Sequence, residues 1–223
     1  MRVVSLVPSA TESLVALGVR PVAVTRFCDL SGVRTIGGTK DPDVAAIGEI
    51  EPDLVVCCVE ENRAEDADAI TALGIVVHVL DIRTVADVKP QIAELADAVG
   101  AAAPRIRVPQ ALKVTRKAFV PIWRRPWMSL ASDTYGASVL QHLGIGNVFA
   151  DAGDRYPELE LADAIERRPD LVIAPDEPYP FSARQQEELE TVAPVRFVDG
   201  RDLFWWGTRT PRALERLATA LAP

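Results

Sequence analysis

The chain is poor in the residues that build metal and redox centres: its 223 residues include 3 cysteines and 2 histidines. The cysteines are Cys28, Cys57 and Cys58. An odd set with two adjacent members gives no disulfide framework. Cys57 and Cys58 sit in the apolar run Leu54–Val59 and read as small buried hydrophobes. His78 falls in a strand pattern and His142 in an apolar helical one, so both read as structural and a closed zinc site is not expected. No metal ligands and no resident cofactor are assigned. Long apolar runs are missing too, and nothing reaches the length of a membrane-spanning helix. The residues after Met1 lack the charged, apolar and small-residue regions of a signal peptide. The expectation is a cytoplasmic protein as the sequence stands, or an extracytoplasmic one if a signal precedes it. Catalytic signatures are also absent: there is no Gly-x-Ser-x-Gly elbow, Walker loop or Gly-x-Gly-x-x-Gly fingerprint. Glu60, Glu61 and Glu177 have acid–base chemistry, but read more simply as solvated acids or contacts for a basic partner. No catalytic residue is assigned, and the protein is expected not to be an enzyme.

Charge narrows the field further. A formal net charge of -8 argues against a general nucleic-acid binder. One stretch inverts the balance. From Ala98 to Ser132 there is no acid, while Arg105, Arg107, Lys113, Arg116, Lys117, Arg124 and Arg125 all fall within it. It reads as a solvated connector, or more sharply as a docking surface for an acidic partner.

What is present is an internal duplication. Glu51-Pro52-Asp53-Leu54-Val55-Val56 returns as Arg168-Pro169-Asp170-Leu171-Val172-Ile173. Upstream, Ser5-Leu6 leads through a helical pattern to Leu17-Gly18, and Ser129-Leu130 leads similarly to Leu143-Gly144. Downstream, the run 72–81 is echoed by 192–199. Three echoes in one order point to two related lobes. The predicted organisation is an N-terminal lobe over 1–84, a bridging helix and connector over 85–125, and a C-terminal lobe over 126–223. Each lobe reads as alternating strands and helices: strands at Val3–Val7, Val22–Thr25, Leu54–Val59 and Ile75–Leu80, helices at Val44–Ile50 and Arg63–Leu73. A capping box of Ser9 and Glu12 is expected to start the first helix, and Gly18 to stop it. Thr84–Val99 carries apolar residues at helical spacing, and a last helix is predicted over Pro211–Leu221. Near-continuous apolar strands alternating with helices imply parallel sheets covered on both faces. The fold class is therefore α/β, with two similar lobes of parallel sheet flanked by helices, joined by a bridging helix, and with a ligand cleft between them.

Open parallel sheets bind ligands beyond the carboxyl ends of their strands. The residues that follow the strands are therefore the candidates: Ser9 and Thr11, Phe27, Gly38, Glu60 and Asn62 in the first lobe, and Trp127, Tyr179, Phe181, Trp205, Trp206 and Arg209 in the second. The helix start at Ser9 suits an anion or carbonyl. The aromatics lie on loops in polar company and offer flat surfaces to a large planar or apolar ligand. Two consecutive tryptophans before a glycine cannot both enter one core, so one of Trp205 and Trp206 is expected to face solvent or ligand.

The run Ser5-Leu6-Val7-Pro8-Ser9-Ala10-Thr11-Glu12, the Pro52-Asp53-Leu54-Val55 strand with Glu60-Glu61-Asn62-Arg63, and Pro126-Trp127-Met128 resemble the helical-backbone (class III) periplasmic substrate-binding proteins. So do Asn147-Val148-Phe149-Ala150-Asp151, Asp176-Glu177-Pro178-Tyr179 and Trp206-Gly207-Thr208-Arg209-Thr210. The likeness is nearest to the cobalamin-binding BtuF-like and siderophore-binding branch. It implies a receptor that holds a corrinoid or ferric-siderophore-type chelate, with cobalt or iron carried by the ligand, and delivers it to an ABC importer. The alternative is a stand-alone cytoplasmic corrinoid- or tetrapyrrole-handling protein or enzyme of the same fold. By resemblance Phe27 matches a cleft aromatic of cobalamin binders, and Trp205 or Trp206 supplies another. Glu61, Glu65 and Glu177 are the candidates for docking onto the permease. Thr84–Val99 is shorter than the family's bridging helix, and Cys58 stands where a cobalamin receptor can carry tryptophan.

Overall fold

The computed structural model describes residues 1–222. The chain folds as two compact units. Unit 1 takes residues 1–82, 86–106 and 206–208, and unit 2 takes 83–85, 107–205 and those from 209 on.

Unit 1 is built from β1 (Val3–Ser5), α1 (Pro8–Ala16), β2 (Ala23–Val24), β3 (Arg34–Thr35), α2 (Val44–Ile50), β4 (Leu54–Cys58), α3 (Ala64–Ala72), β5 (Val77–Leu80) and α4 (Val85–Ala98). Its five strands form one parallel sheet in the order β3-β2-β1-β4-β5. Every residue of β1 and β4 is buried, which is why these strands read as continuous apolar runs. Each large side chain so buried contributes on the order of 1.5–3 kcal/mol. The stripe Val88, Ile92 and Leu95 on α4 is fully buried, as its helical spacing predicts.

Unit 2 follows with β6 (Arg116–Phe119), β7 (Trp127–Met128), α5 (Tyr135–His142), β8 (Ile145–Asn147), β9 (Glu158–Leu159), α6 (Leu161–Glu166), β10 (Leu171–Pro175), α7 (Gln186–Glu190), β11 (Val195–Val198), α8 (Gly200–Phe204) and α9 (Thr210–Ala220). Strands β11-β10-β6-β8 make a parallel sheet, and β7 pairs antiparallel with β9. Read against unit 1, β6, β8, β10 and β11 take the places of β1, β2, β4 and β5.

The repeated Pro-Asp pair shows why the echo exists. Asp53 accepts a hydrogen bond from the Arg2 backbone at 2.5 Å and its own N–H donates to the Arg2 carbonyl at 2.9 Å. Asp170 does the same with Lys117, at 2.7 and 2.8 Å. The residue before each proline, Glu51 at φ 48° and Arg168 at φ 50°, adopts the left-handed conformation that ends the preceding helix. Each copy thus turns a helix end into a strand and clamps it to its neighbour.

This clamp also corrects the expected boundaries. The partner of Asp170 is Lys117, so the first strand of the second sheet is β6, inside the segment 85–125 read as bridge and connector. The serine of Ser129-Leu130 is not the counterpart of Ser5: residues 120–134, which carry β7, separate β6 from α5, where two residues separate β1 from α1. Basic residues around β6 hide it as a strand in the sequence. A second correction concerns α1. It begins at Pro8 with Val7 as its N-cap and no side-chain cap, so Ser9 is inside the helix and forms no capping box. Proline's fixed φ suits the first helical position and displaces the start upstream. Gly18 and Gly144, at φ 80° and 76°, end α1 and α5 as expected. No helix is long and apolar enough to cross a membrane among the described residues.

Candidate functional site

The carboxyl ends of the unit 1 strands carry a rim of tied loops. After β1, the Thr11 hydroxyl lies 2.9 Å from the Val7 carbonyl oxygen, 2.8 Å from Ser5 Oγ and 3.2 Å from Cys28 Sγ. Thr25 Oγ1 lies 3.2 Å from the same sulfur. Ser9 and Thr11 are both buried, and the Thr11 hydroxyl braces the rim from within. Asn62 is buried as well. Its amide oxygen accepts from the Cys58 N–H at 2.8 Å and its amide nitrogen donates to the Thr39 carbonyl at 2.9 Å, joining the loops after β3 and β4. Lys40 adds a bond to the Glu60 carbonyl at 2.9 Å. Arg26 makes a two-pronged pair with Asp41 at 3.0 and 3.2 Å and lies over the Phe27 ring at 4.9 Å. Gly38 fits under that pair, since a Cβ there would meet both side chains. Exposed on this rim are Phe27, at 54%, and Val59, with Glu60 beside them. Glu61 is half-buried and Glu65 is exposed at the start of α3.

Unit 2 carries most of the aromatics. After β6 come Trp123 and Arg124; after β10 come Glu177, Tyr179 and Phe181; after β11 comes Trp205. Four rings run in contact. Trp123 meets Tyr179 edge-on at 5.7 Å, Tyr179 meets Phe181 at 4.6 Å, and Phe181 stacks on Trp127 at 6.0 Å. Phe181 and Trp127 are buried, whereas Trp123 is 43% exposed. Arg124 lies over Trp127 at 5.8 Å and pairs with Glu188 at 2.9 and 3.3 Å, pinning the base of the row to α7.

Trp205 is half-buried, with the guanidiniums of Arg201 and Arg209 at 4.7 and 5.5 Å from its ring. Asp202, buried beneath, accepts from Arg209 at 2.9 Å and from Arg216 at 2.6 and 2.5 Å. Burial pushes the Glu177 carboxyl above its ordinary range. Arg201, 3.9 Å away, and a hydrogen bond from Trp205 oppose that rise, while Asp176 and Asp199 add to it. Trp206 is buried and counts with unit 1, while Trp205 counts with unit 2.

Of the expected aromatics, Phe27, Tyr179 and Trp205 are at least partly open, whereas Trp127, Phe181 and Trp206 are buried. Trp123, Arg201 and Asp202 were not singled out by the sequence. Trp123 follows a strand masked by its basic neighbours, and Asp202 is an unremarkable acid until α8 and α9 pack. Cys57 and Cys58 are buried, and burial raises both thiols, that of Cys57 to about 11. Burial lowers His78, with Glu94 opposing, and His142 binds the Pro109 carbonyl at 2.7 Å. No group of three or more metal-binding side chains occurs among the described residues. A separate cleft of about 530 Å³ in unit 2 is lined by Phe149, Pro157, Leu159, Asp163 and Arg167 among others, and none of the expected site residues reaches it. The arrangement is suited to holding a ligand by flat apolar faces and a few polar groups.

No protein-family model matches the chain. The vitamin B12-binding protein of Salmonella paratyphi A is 25% identical over 189 residues, covering 77% of this chain and 71% of that protein. A probable siderophore-binding lipoprotein of Bacillus subtilis, YfiY, is 35% identical over 66 residues, 25% of this chain and 20% of that one. Among solved structures, the periplasmic vitamin B12-binding protein BtuF of Vibrio cholerae superposes with a TM-score of 0.79 at 20% identity, covering 99% of this chain and 96% of that one. The periplasmic heme-binding protein HutB of the same organism gives 0.78 at 20% identity, covering 100% and 99%. In sequence the chain is similar to a vitamin B12-binding protein and, over a short stretch, to a siderophore-binding lipoprotein, and it shares the fold of the periplasmic binding proteins BtuF and HutB.

Proposed function

We propose that this protein is a receptor for a metal chelate with a large flat surface, a corrinoid, a haem or a ferric siderophore, which it passes to an ABC importer. The observation that carries the reading is the aromatic rim of unit 2: Trp123, Tyr179 and Trp205 gather at the carboxyl ends of β6, β10 and β11, where parallel sheets take their ligands. Support comes also from relatives and structural neighbours that are named for binding vitamin B12, heme or a siderophore. The metal belongs to the ligand, because the rim offers rings, guanidiniums and carboxylates and not a set of histidines or thiolates. The protein acts by binding and release, without a chemical step. The exposed Glu65 and the half-buried Glu60 and Glu61 beside the unit 1 rim, together with Glu177, are suited to meeting a basic permease surface. Calorimetric titration with cyanocobalamin, haemin and a ferric siderophore tests the reading. One-to-one saturation by one of them at micromolar affinity or better, about -8 kcal/mol, is expected. Failure of all three to bind refutes it.

A further inference from the structure

The four-ring row in unit 2 has one solvent-facing end, and that end is Trp123. Trp123 is 43% exposed, while Phe181 and Trp127 at the other end are 3% and 8% exposed. Trp123 therefore leaves part of a large, flat apolar face open to a ligand. It is also held still. The Met128 N–H donates to the Trp123 carbonyl at 3.2 Å, and the Ile122 N–H to the Met128 carbonyl at 2.9 Å, closing a tight turn over 122–128. That turn is fixed in the sheet by β6 on one side. On the other it is fixed by the β7–β9 pairing, in which Trp127 faces Leu159. Tyr179 braces the ring edge-on, Phe181 braces Tyr179, and the Arg124–Glu188 pair locks the next residue to α7.

We infer that Trp123 is the principal stacking platform for the ligand on unit 2, a role that neither Trp127 nor Trp206 can take, because both are buried. This rests on the receptor reading above. Trp205 differs from Trp123 in that two guanidiniums lie within stacking range of its ring, so part of its surface is already engaged. Among the described residues Trp123 makes one ring contact, edge-on with Tyr179, and none with a cation. An exposed, rigid aromatic backed by a packed base is the form that binding hot spots take, because little ordering remains to be done on association. The ligand face that suits it is a broad conjugated or apolar one, such as the plane or flank of a tetrapyrrole or corrin or a catecholate ring.

The test uses the full chain with cyanocobalamin, haemin and a ferric siderophore as probes. Trp123→Ala is expected to weaken the probe that the unmodified protein binds by about thirty-fold or more, and Trp123→Phe by several-fold at most. Trp127→Phe and Trp206→Phe report on packing and are followed by thermal unfolding alongside. Acrylamide quenching of tryptophan fluorescence checks the geometry independently: the most accessible emission should vanish in Trp123→Phe. If the unmodified protein binds a probe and Trp123→Ala binds it equally well, the platform assignment is overturned while the receptor reading stands. If the unmodified protein binds none of the probes, both fall together.

Discussion

The Asp202 cluster offers the sharpest test of the energetics. Asp202 is 3% exposed in its side chain and neutralises Arg209, 13% exposed, and Arg216, 51% exposed. It ties α8 to α9, and Arg209 in turn lies over Trp205. Asp202→Ala removes the shared acceptor and leaves the Arg209 guanidinium in a site with little water. Breaking a buried pair by deleting one partner costs about 3–5 kcal/mol. Arg216 can recover hydration because half of it is already exposed, so the lower figure, about 3 kcal/mol, applies. For a chain of this length that corresponds to a fall in melting temperature of about 6–12 °C, and it is a large share of a stability of about 5–15 kcal/mol. Scanning calorimetry and urea unfolding followed by circular dichroism measure it. Arg216→Ala, which leaves the Asp202–Arg209 pair intact, should cost about 1 kcal/mol or less. If Asp202→Ala falls within about 1 kcal/mol of the unmodified protein, Asp202 is not the lock between α8 and α9 and the cost assigned to burying Arg209 is mistaken.

Three further expectations come from the same structure. A Cβ at Gly200 would sit 2.5 Å from Glu177 Cγ and 2.7 and 2.8 Å from Glu177 backbone atoms, so Gly200→Ala should destabilise by about 1–3 kcal/mol in urea unfolding and displace the Trp205 fluorescence. Because burial raises the folded-state Glu177 carboxyl, the folded protein holds that proton more tightly than the unfolded chain. Stability is then present at acidic pH and lost as pH rises from the unfolded carboxylate value, about 4.3, through the folded one. Glu177→Gln should therefore melt above the unmodified protein at neutral pH and lose that advantage below about pH 4; an unchanged difference across the range would contradict the burial argument. In native protein, Cys57 and Cys58 should resist alkylation because burial raises both thiols, leaving Cys28 as the one residue labelled by iodoacetamide until denaturant exposes all three.

The sequence by itself determined the architecture. Continuous apolar strands such as Leu54–Cys58 can only be buried on both faces, and the duplicated Pro-Asp-Leu strand demanded two sheets built alike; β4 and β10 are the outcome. Glycines after α1 and α5 stopped those helices where the pattern said, and the stripe on α4 was legible from its spacing. These features depend on local conformational preference and on one-dimensional periodicity, which the sequence carries in full.

Tertiary structure alone decided the rest. That β6 is a strand is settled by Asp170 reaching the Lys117 backbone, 53 residues away, against a local composition that reads as a basic linker. Which aromatic stays at the surface is a matter of what each packs against. Trp127 is covered by Phe181 and Trp206 is taken into unit 1, so exposure passes to Trp123, four residues from the tryptophan that the motif favoured. Thr11 and Asn62 look like ligand groups by position, yet their polar atoms are engaged by Val7, Cys58 and Thr39 once the loops close. Periodicity marks which residues can lie at the end of a strand. Only the packing of distant segments determines which polar atoms are already satisfied and which aromatic face is left open to a ligand.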